Sequence, residues 1–146
     1  MGAAILGTWK LVSASTSTAG GERNATPFGQ SPTGLLTYTQ DGRMTAMISY
    51  GGRARLSSKD SHSAPIEEQA EAFRTFIAYA GRYTLNSDHV IHHVEISSLQ
   101  EWVGTDLIRS IKFEGERIVL AAPPMPVDGI MQTFELIWRR LSANSE

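Results

Sequence analysis

A series of short segments rich in β-branched and aromatic residues, separated alternately by tight turns and long connections, most constrains how this chain can fold. Such side chains favour the pleated backbone of a β-strand, so the series predicts an all-β chain. The predicted strands cover Trp9–Thr16, Gly34–Thr39, Arg43–Tyr50, Arg82–Leu85, His89–Ser97, Thr105–Phe113, Glu116–Ala121 and Met131–Leu141. A sheet of this many strands can close on itself and leave no unpaired edge.

The connections alternate in length along the chain. Tight turns occur at Asp41-Gly42, at Asn86-Ser87-Asp88 and at Glu114-Gly115, whereas the other connections are long. In an up-and-down meander, alternate connections lie at the same end, so the tight turns gather at one end and the long loops at the other. We therefore predict an eight-stranded antiparallel up-and-down barrel with a closed base and an internal pocket at its mouth. A β-sandwich is the alternative, but Greek-key connections do not sort loops in this way.

One segment, residues 65–79, has the spacing of an amphipathic helix instead. Its apolar side chains recur every three to four residues, at Ile66, Ala70, Phe73 and Ile77. Pro65 and the two acidic residues after Ile66 suit a first helical turn. We predict that this helix lies between the third and fourth strands and covers part of the barrel or its mouth.

Length and composition limit the classes of function. A chain of 146 residues fits one domain, residues 1–146. Its 13 basic and 15 acidic residues form no basic cluster, which argues against nucleic acid or an anionic membrane as partner. The chain has no cysteine, so disulfides and thiol nucleophiles are excluded. The N-terminus has no basic region typical of a signal peptide, so we expect a cytoplasmic protein, and a homodimer is compatible with the sequence.

The two ends of the chain resemble lipocalins. Gly7-Thr8-Trp9 resembles their Gly-X-Trp signature, and Trp138-Arg139-Arg140 falls where the last strand would close beside the first. An arginine from that end could stack on Trp9, as a similar pair does at the base of lipocalin barrels. Further stretches resemble the bacterial and fungal lipocalin-like domain family, a calycin-type barrel: Pro27–Gly29, Gly34–Tyr38, Asp41–Met44, Tyr79–Tyr83, Val90–Glu95 and Trp102–Thr105. The resemblance implies a pocket and not a particular reaction.

Strand alternation predicts a polar cluster inside the barrel. The more apolar faces, which we place inward, are Val90, His92, Val94 and Ile96 on one strand and Leu107, Arg109, Ile111 and Phe113 on the next. A two-residue turn at Ser87-Asp88 pairs Leu85 with Val90 and Tyr83 with His92, and Arg109 falls roughly level with His92. We therefore predict an interior cluster of Tyr83, His92 and Arg109, with Gln132 and Thr37 as further polar members.

Two other hairpins bear on which side chains face inward. A two-residue turn at Glu114-Gly115 pairs Ile111 with Ile118. For the second and third strands two inward sets are open, either Leu35, Thr37, Met44, Ala46 and Ile48 or Leu36, Tyr38, Thr45 and Met47. We prefer the first set, which leaves Tyr38 outside the primary site.

The predicted cluster suits proton transfer. A histidine with an ordinary pKa of ~6.5 exchanges protons near neutral pH. Arg109 could hold a carboxylate or an enolate oxygen, and Tyr83 could donate to a carbonyl. The alternative is an internal hydrogen-bond network, although no inward acid is evident to pair with Arg109.

Other side chains are predicted to contact the ligand: Trp102, Leu107, Met44, Ile48 and Met125. No metal site is predicted, because His92 and His93 point to opposite faces of one strand and His93 with Glu95 lacks a third ligand. The chain has neither a phosphate-binding loop nor a serine nucleophile elbow, so no cofactor is expected.

The sequence thus predicts a barrel that binds one small, largely apolar, oxygenated metabolite. Because the predicted cluster supplies candidate acid–base residues, a cofactor-independent isomerase or cyclase is one hypothesis. Some members of the resembled family accompany genes of specialised metabolism, which is where the resemblance would place such an activity. A non-catalytic carrier or sequestering protein is the alternative. A barrel filled by its own side chains is a third reading.

Overall fold

A computed structural model describes residues 2–142 of the chain. Its strands are β1 (Gly7–Thr18), β2 (Arg23–Asn24), β3 (Thr33–Tyr38), β4 (Arg43–Ser49), β5 (Phe76–Leu85), β6 (His89–Ser97), β7 (Asp106–Glu114), β8 (Arg117–Ala121), β9 (Met125–Val127) and β10 (Ile130–Arg140). Its α-helices are α1 (Gly2–Ile5) and α2 (Ile66–Arg74), and short 3₁₀ turns cover Ser61–Ser63 and Gln100–Trp102.

Eight of these strands close into one antiparallel barrel, which confirms the predicted fold class. They pair in the order β1, β3, β4, β5, β6, β7, β8 and β10, and β10 returns to pair with β1. The closing ladder runs from Trp9 opposite Arg140 to Thr18 opposite Gln132. The short strands β2 and β9 pair with the mouth ends of β1 and β10.

The base of the barrel is sealed by Trp9 and Arg140. The Arg140 guanidinium lies 4.3 Å from the centre of the Trp9 ring, which confirms the predicted cation–π contact. The same guanidinium donates hydrogen bonds to the carbonyls of Leu6 and Ala4. The indole N–H of Trp9 donates to the carbonyl of Ile5 at 2.9 Å, so α1 is fastened across the same end.

The turn between β3 and β4 is longer than the two-residue turn that Asp41-Gly42 suggests. The backbone N–H of Thr39 donates to the carbonyl of Arg43 at 2.8 Å, which leaves three residues in the loop. Gly42 has a φ of 87°, the left-handed conformation that glycine adopts readily. The additional residue shifts the register of the two strands by one.

This shift reverses the predicted face of β3. Tyr38 pairs with Met44 and Leu36 with Ala46, so these four side chains share the inner face. The preferred inward assignment of Leu35 and Thr37 is therefore wrong for β3, whereas that of Met44, Ala46 and Ile48 on β4 is confirmed. Tyr38, which the prediction excluded, is one of the most deeply buried side chains.

Of the other predicted strand pairings, those between β5 and β6 are confirmed, whereas those of β7 with its neighbours are wrong. Leu85 pairs with Val90 and Tyr83 with His92, as predicted. Ile111 pairs with Leu120 rather than with Ile118, because the β7–β8 turn falls at Gly115-Glu116, one residue later than expected. Across the next ladder His92 lies opposite Leu107 and Arg109 opposite Val90, so the two polar residues are not level.

A β-bulge in β6 makes one further prediction of an inward-facing residue, that for Ile96, wrong. Ala80 pairs with Ile96 but Gly81 pairs with Val94, so Glu95 is an extra residue on β6. The chain changes face across this extra residue, and Ile96 is 70% exposed instead of inward. A side chain at Gly81 would collide with the carbonyl of His93, so the bulge requires glycine there.

The helix α2 is shorter than the predicted segment 65–79. It ends at Arg74, and the N–H and hydroxyl of Thr75 both bond to the carbonyl of Glu71. The chain enters β5 at Phe76, where aromatic and β-branched residues extend the sheet beside β4. The apolar stripe of α2 stays open to solvent, with Ile66 79% and Phe73 53% exposed. No helix within residues 2–142 is long and apolar enough to span a bilayer.

Candidate ligand-binding site

A cavity of about 240 Å³ opens among the inward side chains and the long loops. From the barrel wall it is lined mainly by apolar side chains, among them Leu36, Ala46, Ile48, Leu120, Leu136 and Trp138. The loops and short strands at the mouth add Phe28, Tyr50, Leu99, Trp102, Met125 and Pro126. An apolar space with a few polar groups is typical of a site for one small molecule.

The polar part of the site is a chain of three side chains from three strands. His92 on β6 is 1% exposed. Its Nε2 lies 2.6 Å from the hydroxyl of Tyr38 on β3, and its Nδ1 lies 2.8 Å from the hydroxyl of Tyr79 on β5. His92 and Tyr79 line the cavity, whereas Tyr38 is buried behind them.

Burial determines the charge state of this chain. Burial, and then the nearby positive charge of Arg109, lower the pKa of His92 to about 3. Burial raises the pKa of Tyr79 and, more strongly, that of Tyr38. All three side chains are therefore neutral at physiological pH, and His92 does not exchange protons near neutrality as its ordinary pKa suggested.

Arg109 is the cationic side chain of the cavity wall. Its Nη1 donates to the carbonyl of Ile108 at 3.3 Å. None of the ion pairs found within residues 2–142 includes Arg109, and the cavity-lining residues include no aspartate or glutamate. Arg109 therefore adds a positive charge to the cavity wall that no lining carboxylate offsets, which favours an electron-rich ligand group.

The structure brings some of the predicted site residues together and separates others. His92, Arg109, Trp102, Ile48 and Met125 all line the cavity. The other predicted residues, Tyr83, Met44, Leu107, Thr37 and Gln132, are not among its lining residues.

Four of these five absences from the cavity wall have a local cause. The hydroxyl of Tyr83 donates to the carbonyl of Thr39 at 3.0 Å, and its ring packs edge-to-face against Tyr38. Met44 is buried within the barrel core. Thr37 lies on the outer face and shares a hydrogen bond with Thr8. Gln132 pairs with Met125 in the β9–β10 ladder, and of that pair only Met125 reaches the cavity.

Sequence reasoning missed the two tyrosines that hold His92. Tyr79 fell at the end of the predicted helix, although Phe76-Ile77-Ala78-Tyr79 also fits the start of a strand. Tyr38 was placed outward because it belongs to the inward set that was not preferred for the second and third strands. The available signal was the strand-forming composition near each of them: Thr37 and Thr39 flank Tyr38, and Phe76 and Ile77 precede Tyr79.

The outer face of β6 carries a separate polar cluster. Nδ1 of His93 lies 2.9 Å from Asp106, and its Nε2 lies 2.8 Å from the hydroxyl of Thr84. Glu95 pairs with Arg43 and Arg82 rather than with His93. Within residues 2–142 no three histidine, cysteine or acidic side chains are grouped to hold a metal ion.

Comparison with known proteins agrees with this architecture. The model of a lipocalin-like domain matches residues 6–141. A 4'-hydroxy-3'-methoxypropiophenone carrier protein of Aspergillus oryzae is 33% identical over 107 residues, which cover 67% of this chain and 96% of that protein.

Proposed function

The chain belongs to the lipocalin-like domain family, and on that premise we propose that it carries a small, largely apolar, oxygenated metabolite inside its barrel. The observation that carries this proposal is the apolar cavity of about 240 Å³ with Tyr79, His92 and Arg109 in its wall. The named role of the Aspergillus oryzae relative, a carrier of an aromatic ketone, supports it.

Aromatic side chains around the cavity favour an aromatic ligand. Trp102, in the 3₁₀ turn at the mouth, packs edge-to-face against Tyr79 with ring centres 5.5 Å apart. Phe28 stacks on Phe134 at 6.0 Å. A planar ring entering between them gains offset or edge contacts in addition to burial of its apolar surface.

The neutral state of His92 favours carriage over turnover. A general base is most effective with a pKa near the working pH, and that of His92 is lowered to about 3. Both of its ring nitrogens are also engaged by tyrosine hydroxyls. The isomerase or cyclase hypothesis needs a proton acceptor that this arrangement does not offer.

Isothermal titration with 4'-hydroxy-3'-methoxypropiophenone, followed by mass spectrometry of the recovered compound, tests the proposal. We expect one molecule bound per chain and recovery of the compound unchanged. Conversion of the compound to an isomer or cyclised product would show that the protein is an enzyme and would contradict the carrier proposal. Failure of that compound to bind, together with no metabolite in the protein purified from its host, would overturn the proposal.

Two matched variants of β4 test whether the ligand binds inside the cavity. Ala46→Phe places a ring inside the cavity, and we expect it to abolish binding because the ring occupies the space of the ligand. Thr45→Phe adds the same ring to the outer face of the same strand, where Thr45 is exposed, and should bind like the wild type. Equal affinities of the two variants would place the ligand elsewhere.

A further inference from the structure

The hydrogen-bonded chain of Tyr38, His92 and Tyr79 has one proton arrangement that leaves no buried hydrogen unpaired. From it we infer that the hydroxyl of Tyr79 donates into the cavity, to an acceptor oxygen on the ligand such as the carbonyl of an aryl ketone. This inference rests on the proposed carrier function and names the ligand group that the site selects.

The number of protons on the His92 ring limits the directions of its two hydrogen bonds. A neutral imidazole has one N–H donor and one nitrogen acceptor. His92 touches one tyrosine hydroxyl with each ring nitrogen. One tyrosine must therefore donate to His92, and the other must accept from it and keep its own hydroxyl hydrogen for another partner.

The surroundings of Tyr38 decide which tyrosine donates. Tyr38 is 1% exposed and does not line the cavity. Among the residues that the structure describes, its hydroxyl has no hydrogen-bond partner besides Nε2 of His92. If Tyr38 accepted from Nε2, its own hydrogen would be buried without an acceptor, which is strongly unfavourable. Tyr38 therefore donates, and Nε2 is the acceptor.

The proton of His92 then lies on Nδ1 and is donated to the oxygen of Tyr79. Because that oxygen accepts from His92, the hydrogen of Tyr79 is free to point elsewhere, and Tyr79 lines the cavity. Each bond of such a chain polarises the next, so Tyr79 is a stronger donor than an isolated phenol.

Arg109 adds a positive charge to the same end of the cavity. Its charge acts on both His92 and Tyr79, and no acidic side chain among the lining residues offsets it. A carbonyl or ionised oxygen is matched by this pair of donors, whereas an amine cation is repelled. The site thus selects an acceptor oxygen attached to an apolar body.

Two probes of the same shape test the inference: propiophenone, which has a carbonyl, and propylbenzene, which has none. We expect Tyr79→Phe to weaken propiophenone binding about tenfold, the loss of one hydrogen bond, and to leave propylbenzene binding unchanged. Tyr83→Phe is the matched control, since the hydroxyl of Tyr83 bonds to the carbonyl of Thr39 outside the cavity wall. Equal losses for both probes, or no loss for propiophenone, would overturn the inference.

The protonation of His92 can be measured without any ligand. Nitrogen-15 NMR of the labelled protein should show Nδ1 protonated and Nε2 unprotonated at neutral pH. An Nε2-protonated ring would reverse the chain and overturn the inference. If neither probe binds the wild-type protein, the carrier proposal fails for these ligands, while the NMR result still decides the direction of the chain.

Discussion

His92 illustrates how position alone changes the chemistry of a residue. In water its imidazole would carry a proton below about pH 6.5, but in the barrel its pKa is lowered to about 3. The neutral ring accepts from one tyrosine hydroxyl and donates to the other, and a second proton would leave the hydroxyl of Tyr38 without its acceptor. Protonating it would put a charge into an apolar space already facing Arg109.

This lowered pKa predicts a loss of stability in acid. The unfolded chain binds the His92 proton with a pKa of ~6.5 and the folded chain only near 3, so stability is full above the first value and falls as the pH drops through the interval. The loss by pH 3 is on the order of a few kcal/mol. Guanidinium unfolding at a series of pH values measures it.

The matched variants for that measurement are His92→Asn and His62→Asn. The first should be less stable at pH 7, because two tyrosine hydroxyls lose their partner, but its stability should change less between pH 6.5 and pH 4. The second removes an exposed imidazole and should follow the wild-type profile. An unchanged acid slope in His92→Asn would assign the slope to other groups.

For single residues, the sequence predicted that His92 and Arg109 face inward, but it did not predict the two tyrosines that bond to His92. His92 sits between Val90 and Val94 at strand spacing, so its inward direction followed from the alternation. The direction of Tyr38 depended on one residue in a turn, and periodicity within the strand carries no information about that residue. Alternation predicts which residues share a face, and the turn decides which face is inside.

Among the elements, the β3–β4 turn has the greatest effect on the site. Its three-residue loop depends on Gly42 at a φ of 87° and directs Tyr38 toward His92. The α2–β5 boundary is the other decisive element. Phe73 and Ile77 have helical spacing, but the stripe was split between a helix and a strand at Thr75, which caps the helix. A helical period alone does not show where the helix ends.

Gly42→Ala tests the strain in this turn. A side chain at Gly42 meets no atom within 4 Å, so the only cost is the positive φ, which we expect to lower stability by about 1 kcal/mol. Gly20→Ala is the control, since Gly20 has no positive φ and only an ordinary contact at 3.8 Å. Denaturant midpoints of the two variants check this, and equal midpoints would contradict it.

At the scale of the whole molecule, closure was the most predictable property. Hairpin turns, strand-forming segments and the alternation of connection lengths all pointed to one barrel. The first and last barrel strands meet where an arginine of the last strand was expected to stack on Trp9, and that arginine is Arg140. The cavity was less predictable, because its wall combines residues from strands and from loops whose paths no periodic pattern describes.

Arg140→Met tests how much the sealed base contributes to the barrel. The variant keeps an apolar stem but loses the cation–π contact and the hydrogen bonds to the carbonyls of Ala4 and Leu6, so we expect its stability to fall by about 2 kcal/mol. Arg55→Met removes an exposed guanidinium and should leave the melting temperature unchanged. If both variants have the melting temperature of the wild type, Arg140 does not stabilise the closed barrel.

The sorting of short turns to one end and long loops to the other separates two kinds of change. Insertions or replacements in the loops and the short strand that carry Phe28, Trp102 and Met125 alter the lining of the cavity and leave the sealed base intact. A protein built in this way can change which ligand it binds, over evolution or in the laboratory, while the base of the barrel stays the same.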